Sequence, residues 1–352
     1  MTQTLSPPRP KNTQPATSPV GTQSGWAQSF VDDGPIDVSV CIANWNCKDY
    51  LWECLTSLQD IPQGVRVETI VVDNASVDGA TDMVAQEFPE VVLVRNRCNV
   101  GFARASNQAA ALAQGRYVFF LNNDTQVPAF ALQRLVEYAD ANPEVGMLGP
   151  SLRDGKGNHQ ISYRRRPTIA AMLHRTALLR WTGLFKFAYH DYRRRNFAPL
   201  AERRVDVLMG AAVLMPRDVF EECGRWDEDF RFGVEDVELS TRVAAKHELA
   251  YLPNVEIIHH GRLSSRENIA FAAPNLLIGY VHYFRKTGSS RAGLFAYKLV
   301  VTLDTPIQLI AKSVQFLFRR LRGKARKAEK SRLSLTGLWH FFRRELGRFW
   351  KA

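Results

Sequence analysis

The sequence predicts an α/β fold in which helices flank a mostly parallel, wound sheet, and three observations carry that prediction. From Asp37 onward, short β-type runs alternate with stretches of helical periodicity, the alternation that specifies a wound sheet. The run Tyr117-Val118-Phe119-Phe120-Leu121 is bulky and unbroken, as suits a strand covered on both faces. That run empties into LNNDTQVP, two amides and a carboxylate at the edge where open α/β sheets bind ligands.

The elements follow in order. VSVCIAN is the first strand, YLWECLTSLQDI the first helix, VETIVVDN the second strand, TDMVAQEF the second helix and VVLVRN the third strand. A helix from about Ala103 to Gln114 leads to the YVFFL strand. Residues 151–204 lose this regularity and carry arginine runs at Arg164 to Arg166 and Arg193 to Arg195, as a long insertion over one face would. Order returns with VDVLMGAAVLMP, the helical EDVELSTRVAAKH and the strand-like NVEIIHHG.

Composition sets the limits. A chain of 352 residues with 45% apolar content can bury a full core, with one large domain plus appendages. Residues 1–35 are rich in Thr, Gln, Ser and Pro and lack an apolar core behind a basic start, which predicts a disordered arm, no signal peptide and a cytoplasmic chain. Five cysteines without a CxxC pair argue against a disulfide framework and a thiolate zinc site. The net charge of +11 is uneven, with 17 Lys/Arg against 3 Asp/Glu in residues 285–352 and a slightly acidic remainder. A tail of that kind suits an anionic surface, either membrane or nucleic acid. The expected division is an arm over 1–35, a catalytic domain over 36–286 and a basic amphipathic tail over 287–352.

No GxGxxG follows the first strand, which disfavours a Gly-rich dinucleotide site. Side chains suited to a nucleotide close the strands instead. Asn44, Trp45 and Asn46 end the first, with Trp45 able to stack on a base, and Asp73 ends the second, able to accept from a ring N–H or a ribose hydroxyl. Taken singly, a Trp there also serves core packing and an Asp an Asx turn or helix cap.

In chain order, VSVCIANWN, VVDNASVDG, NVGFARASN, FFLNNDT, GAAVLMPRDVF, GRWDEDF, GVEDVEL and IIHHGRLSS resemble the family-2 glycosyltransferases of GT-A fold, especially the bacterial branch that includes rhamnosyltransferases of surface-polysaccharide assembly. The resemblance covers roughly residues 37–286. It implies a mixed-sheet GT-A domain and inverting sugar transfer from a nucleoside-diphosphate sugar, dTDP-rhamnose first, to a lipid-linked or growing glycan acceptor. The position of Asn122, Asn123 and Asp124 is that of the family's metal-binding Asp-x-Asp motif, with Asn122 in place of the first carboxylate and Asp124 matching the second. Mg²⁺ or Mn²⁺ prefers oxygen ligands and keeps waters and substrate phosphates, so one protein carboxylate plus a diphosphate can suffice. His259 matches a downstream His in an H-x-x-x-x-S pattern ending at Ser264, as a further metal or diphosphate ligand. Adjacent side chains on an extended segment point to opposite faces, so only one of His259 and His260 should reach the site. Asp236 matches the family's general base, with Glu235 beside it binding or orienting the acceptor, although acids in a first helical turn are also favoured by the helix dipole. Asn99 and Gly101 match a family turn, Arg104 and Asn107 follow on the side of the diphosphate or sugar, and Gly210 sits where backbone approaches the donor sugar.

In the tail, Asn268 to Phe284 and the apolar stretch broken by Lys298, Asp304 and Lys312 are both poor membrane spans. A helix capped by Thr305, starting at Pro306 and ending at Gly323 would carry a stripe of Ile307, Ile310, Val314, Leu317 and Leu321. A second, from about Ser334, would carry Leu335, Leu338, Trp339, Phe342, Leu346, Phe349 and Trp350. Both suit an anionic membrane surface at the inner face of the cell membrane, or else pack on the catalytic domain. The competing classes are a basic nucleic-acid-binding protein, for which no recognition module is evident, and a catalytically silent relative, which Asn122 keeps open.

Overall fold

The computed structural model describes residues 34–62, 64–193, 200, 202–261 and 269–352. The expected arm and Ser264 lie outside these residues, apart from residues 34 and 35. The chain runs β1 (Val38–Asn44), α1 (Lys48–Gln59), β2 (Val67–Asp73), α2 (Ala80–Glu87), β3 (Val92–Arg95), α3 (Phe102–Leu112), β4 (Tyr117–Asn122), β5 (Thr125–Gln126), α4 (Ala131–Ala141) and β6 (Val145–Arg153). The insertion holds β7 (Tyr163–Arg164), α5 (Ile169–Leu173), α6 (Ala177–Thr182), α7 (Lys186–Arg193), β8 (Arg203–Arg204) and β9 (Val207–Leu208). Then come β10 (Ala212–Pro216), α8 (Arg217–Glu222), α9 (Glu235–Val243), β11 (Glu248–His259), α10 (Ile269–Lys286), α11 (Arg291–Leu321), α12 (Ala325–His340), a π turn (Phe341–Glu345) and α13 (Leu346–Lys351).

One sheet organises the molecule, in the order β3-β2-β1-β4-β10-β6-β11-β5, with β8 on β11. β3, β2, β1 and β4 are parallel neighbours, β10 is antiparallel to both β4 and β6, and β11 is parallel to β6. This is the mixed, mostly parallel sheet that the βαβ alternation predicts.

Period-two alternation sorts the strand residues between two cores. Tyr117, Phe119 and Leu121 face a cluster with Leu51 and Leu55 of α1 and Leu132 and Leu135 of α4. Val118 and Phe120 face the other way, against Ala105 and Ala109 of α3, Trp226, and Leu239 of α9. Small residues on α3 let that helix lie close to the sheet, and the packing leaves the strand ends as the open edge.

A third cluster joins the insertion and the carboxyl-terminal helices. Phe230, Val234 and Val237 pack with Ile278, Val281 and Phe284 of α10, Tyr297 and Val301 of α11, and Phe341 and Phe349. The apolar core therefore crosses the expected boundary at 286/287. Of the expected run from Asn268 to Phe284, Asn268 lies outside the described residues and the rest is mostly a buried core helix, Pro274 included.

The tail helices start earlier than their sequence signals imply. Ser290, whose hydroxyl accepts from Gly293 N at 3.1 Å, caps α11, and the helix continues through Pro306 to Leu321. Thr305 does not cap; its hydroxyl donates to Val301 O at 2.8 Å inside the helix. A proline inside a helix costs about 3 kcal/mol, an expense the packing of α11 on α5, α6, α10 and α12 offsets. Among the described residues α11 is the one helix long and apolar enough to cross a membrane by length and composition. The next helix begins at Ala325, not near Ser334.

Candidate active site

The parallel register sets Asn44 level with Asp73 and Ala43 level with Asn122, so the ends of three strands meet at one edge. A chain of buried polar groups links them. Asn123 Nδ2 donates to Asn44 Oδ1 at 2.7 Å, and Asn44 Nδ2 donates to Asp73 Oδ2 at 2.9 Å. Asp73 Oδ1 accepts from Ser76 N at 2.8 Å, the local turn that fixes the loop after β2. Asn46 takes a positive φ of 47° and accepts from Val77 N at 2.8 Å, so the NWN turn and the post-β2 loop are stitched together. Trp45 is half-buried, edge-on to Phe271 at 6.3 Å, and Phe271 in turn meets Phe232 at 6.1 Å. These three aromatics wall one side of the edge.

The second group forms where β5 pairs with β11, setting His259 opposite Thr125. Asp124 is buried; its Oδ2 accepts from Gly261 N at 3.0 Å, and its Oδ1 lies 3.4 Å from His259 Nε2. Asn122 Nδ2 lies 3.4 Å from the same nitrogen. His259 is clamped by Gln160, whose Nε2 donates to His259 O at 2.5 Å and whose Oε1 lies 2.9 Å from His259 Nδ1. With the amide nitrogen committed to the carbonyl, Oε1 is the acceptor and Nδ1 carries the proton. The Nε2 lone pair then points toward Asp124 Oδ1, the arrangement of a metal-ligating imidazole held by an outer partner. His260 turns away, its ring 5.0 Å from that of Tyr50 and its Nε2 3.6 Å from Glu53. Among the described residues no cluster of three His, Cys, Asp or Glu side chains could hold a metal. The carboxylate and imidazole fit a hard cation that takes its remaining ligands from phosphates and water.

The third group opens α9. Gly233 and Val234 both take positive φ, 74° and 78°, and for a β-branched residue that conformation costs of order 1–3 kcal/mol. Burial of Val234 in the third cluster offsets the strain. Asp236 Oδ1 and Oδ2 each accept from Arg164 Nη2 at 3.0 Å, and Oδ1 also accepts from Val237 N at 2.9 Å. Arg164 reaches on to the Tyr192 hydroxyl at 3.3 Å, which meets that of Tyr280 at 3.1 Å. Burial, with the carboxylate of Asp236 next door, pushes the Glu235 carboxyl up to about 8. Glu235 as a residue is partly exposed, yet its Oε2 is buried without a hydrogen-bond partner among the described residues.

Backbone joins the second and third groups. Asn122 N donates to Ala211 O at 2.9 Å, and a Cβ placed on the preceding Gly210 would lie 3.1 Å from the Asp236 Cβ. Gly210 thus allows close approach to Asp236.

The α3 residues are engaged with the loop that leads into α9. Asn99 Oδ1 accepts from Gly101 N at 2.9 Å, and a Cβ on Gly101 would meet Arg231 O at 3.0 Å. Asn107 donates to Trp226 O at 2.8 Å and accepts from Trp226 N at 3.0 Å, while Arg104 pairs with Glu228 at 3.2 Å. In this structure the two side chains brace residues 226–228, not an open ligand space. Sequence reasoning missed Gln160 and Arg164; the arginine run marked Arg164 as unusual, and nothing marked Gln160.

Known proteins resemble the chain in sequence and in fold. The sequence model described as Glycosyl transferase family 2 matches residues 39–204. N-acetylglucosaminyl-diphospho-decaprenol L-rhamnosyltransferase of Mycobacterium tuberculosis is 29% identical over 214 residues, covering 55% of this chain and 66% of that enzyme, just under two thirds of its length. Among solved structures, GalNAc-T7 with UDP, GalNAc and Mn²⁺ superposes with a TM-score of 0.53 at 16% identity, covering 72% of this chain and 48% of that one. The mannosyltransferase PcManGT of Pyrobaculum calidifontis with GDP-Man and Mn²⁺ gives 0.50 at 20% identity, covering 93% and 92%. With this sheet order and these matches, the chain has a GT-A fold, its residues 39–204 match the family-2 glycosyltransferases, and it is similar to a rhamnosyltransferase.

Proposed function

We propose that the chain transfers a sugar, with inversion, from a nucleoside-diphosphate sugar to a lipid-linked or growing glycan at the cytoplasmic face of an anionic membrane. The observation that supports this best is the convergence, through Gly210 and Ala211, of the Asp124–His259 pair and the Glu235–Asp236 helix start. A diphosphate seated on the pair and an acceptor seated on the helix start would meet across one residue's width of backbone.

Each group then has a task. Trp45 offers a face to the base, and Asp73 a carboxylate to the base or ribose. Asp124 and His259 would hold Mn²⁺ or Mg²⁺, with Asn122 beside them, and the cation would supply positive charge to the leaving diphosphate, the imidazole favouring Mn²⁺. Asp236 takes the proton of the acceptor hydroxyl as that oxygen attacks the anomeric carbon from the face opposite the diphosphate. Arg164 orients Asp236 until the acceptor displaces part of that ion pair. Glu235, protonated at neutral pH, donates a hydrogen bond to the acceptor and so sets the attacking oxygen.

The M. tuberculosis relative, by its name, moves L-rhamnose to a lipid-linked N-acetylglucosaminyl diphosphate, so dTDP-rhamnose is the first donor to try. Thermal shift and hydrolysis against a panel of dTDP-, UDP- and GDP-sugars, with Mn²⁺ or Mg²⁺, test the proposal. The expected result is metal-dependent stabilisation, largest with dTDP-rhamnose. A full panel with no metal-dependent shift would overturn it.

A further inference from the structure

Two apolar surfaces far apart in sequence are carried by elements that touch, α11 and α6. Along α11, Leu303, Ile307, Ile310, Val314, Leu317 and Leu321 recur at three- and four-residue spacing, and all six are exposed. Leu299 extends the row by one turn, giving about 33 Å of stripe at 1.5 Å per residue. The opposite side of the helix is committed to the protein, since Tyr297, Val301, Asp304 and Thr305 are buried.

The second surface comes from the insertion. Trp181 is 91% exposed and Phe187 79%, with Leu178, Leu184 and Phe185 also exposed. The chain turns between them at Gly183 (φ 73°) and Phe185 (φ 59°), and a bulky residue in the left-handed region is a strained way to present apolar side chains to water. Asp304 ties the two surfaces together: its Oδ1 accepts from Leu178 N at 2.9 Å at the start of α6, and its other oxygen accepts from Gln308. The carboxylate that interrupts the apolar run in sequence is therefore the buried link between α11 and α6.

Exposed charge carried by the two segments themselves has one sign. From Arg166 to His190 the chain holds Arg166, Arg175, Arg180 and Lys186 and no acid, and the one acid within α11 is the buried Asp304. Arg320 and Arg322 close the far end, both exposed. Aromatic and aliphatic side chains inside a basic rim suit the headgroup and acyl boundary of an anionic bilayer. A helix committed on one side to protein and to a buried carboxylate suits lying in that boundary, not crossing it.

We propose that the turn from Leu178 to Phe187 and the exposed stripe of α11 form one surface that docks in the plane of an anionic lipid bilayer, with Trp181 and Phe187 inserted. This rests on the membrane acceptor proposed above and adds the part of the catalytic domain that enters the lipid.

Cosedimentation of the full chain with phosphatidylcholine vesicles, with and without phosphatidylglycerol, tests it. The unmodified chain should bind the anionic vesicles and release with salt. W181E/F187E and I310E/L317E should each lower the partition by about tenfold or more, with unchanged thermal midpoint and nucleotide affinity. W181A/F187A, which adds no charge, should give a smaller loss in the same direction. If I310E/L317E loses binding while W181E/F187E does not, the inference is overturned and the membrane reading of α11 stands. If the unmodified chain ignores anionic vesicles, both fail. A dimer in solution that W181E/F187E dissociates would assign the surface to a second copy of the chain and also overturn the inference.

Discussion

Gln160 holds His259 through one amide, which donates to its backbone carbonyl and accepts from its ring, and a side chain that only sets another's tautomer leaves a particular signature. Gln160→Ala should weaken Mn²⁺-linked nucleotide binding by about tenfold, within the usual range for an outer partner of a metal-ligating His, with little change in folding. Asp124→Ala should abolish most of that linkage, and calorimetry with dTDP and Mn²⁺ separates the two. Glu235 makes a prediction of a different kind. Its carboxyl is raised from 4.5 to about 8 in the folded protein, so between those values the native state holds more protons than the unfolded chain. The contribution of Glu235 to stability should therefore be complete below pH 4.5 and be lost as pH rises through about 8. Glu235→Gln should remove that slope and raise the thermal midpoint at pH 8 relative to wild type, as melting curves across the window would register. Asp73 and Asp124 stand out in the sequence because each is a polar residue closing an apolar strand, and His259 entered through the family resemblance. Gln160 and Arg164 were not legible, because each acts on a residue 99 or 72 positions away and no local pattern encodes such a partnership.

At the scale of elements, the carboxyl-terminal helices carry the largest difference between expectation and structure. Amphipathic stripes were readable from spacing, but spacing does not tell which partner covers an apolar face. The α11 stripe faces outward, whereas Phe349 on α13 is fully buried, Leu346 is partly buried, and Trp350 Nε1 donates to Thr302 at 3.0 Å. Of that second stripe Trp339 and Phe342 remain exposed. Removing residues 290–352 from the protein would bare Tyr280, Val281 and Phe284 on α10. That truncation should fold poorly or melt well below the full chain, contrary to the sequence-based expectation of an independent catalytic domain. Phe349→Ala should cost about 3–5 kcal/mol, and Leu317→Ala, on the exposed stripe, within about 0.5 kcal/mol. Denaturant titration of the two variants measures the contrast. Glu238 shows the same limit in a smaller way: it lies in the first turns of α9, and its partner Arg242, at 2.6 Å, and its burial come from the packing of that helix.

For the whole molecule, the mixed sheet was legible because parallel strands buried on both faces have a distinctive composition, and their carboxyl edge follows from the winding. How the insertion closes over that edge was not legible. Arg164 from the insertion, Asp236 from α9 and Tyr280 from α10 form one buried network, so the site depends on three regions of the chain at once. The central claim is that Asp236 takes the acceptor's proton, and Asp236→Asn tests it most directly once a donor and acceptor pair is in hand. Asparagine keeps the size and one acceptor oxygen but removes the charge that pairs with Arg164, so the thermal midpoint should fall while donor affinity, measured on the folded protein, stays close to wild type. Arg164→Gln, measured alongside, reports what loss of the ion pair alone does. The account predicts that Asp236→Asn lowers the transfer rate by about 10² to 10⁴-fold, that Arg164→Gln lowers it much less, and that both retain metal-linked donor binding. Transfer by Asp236→Asn at near the wild-type rate, or an equal loss in Arg164→Gln, would contradict it.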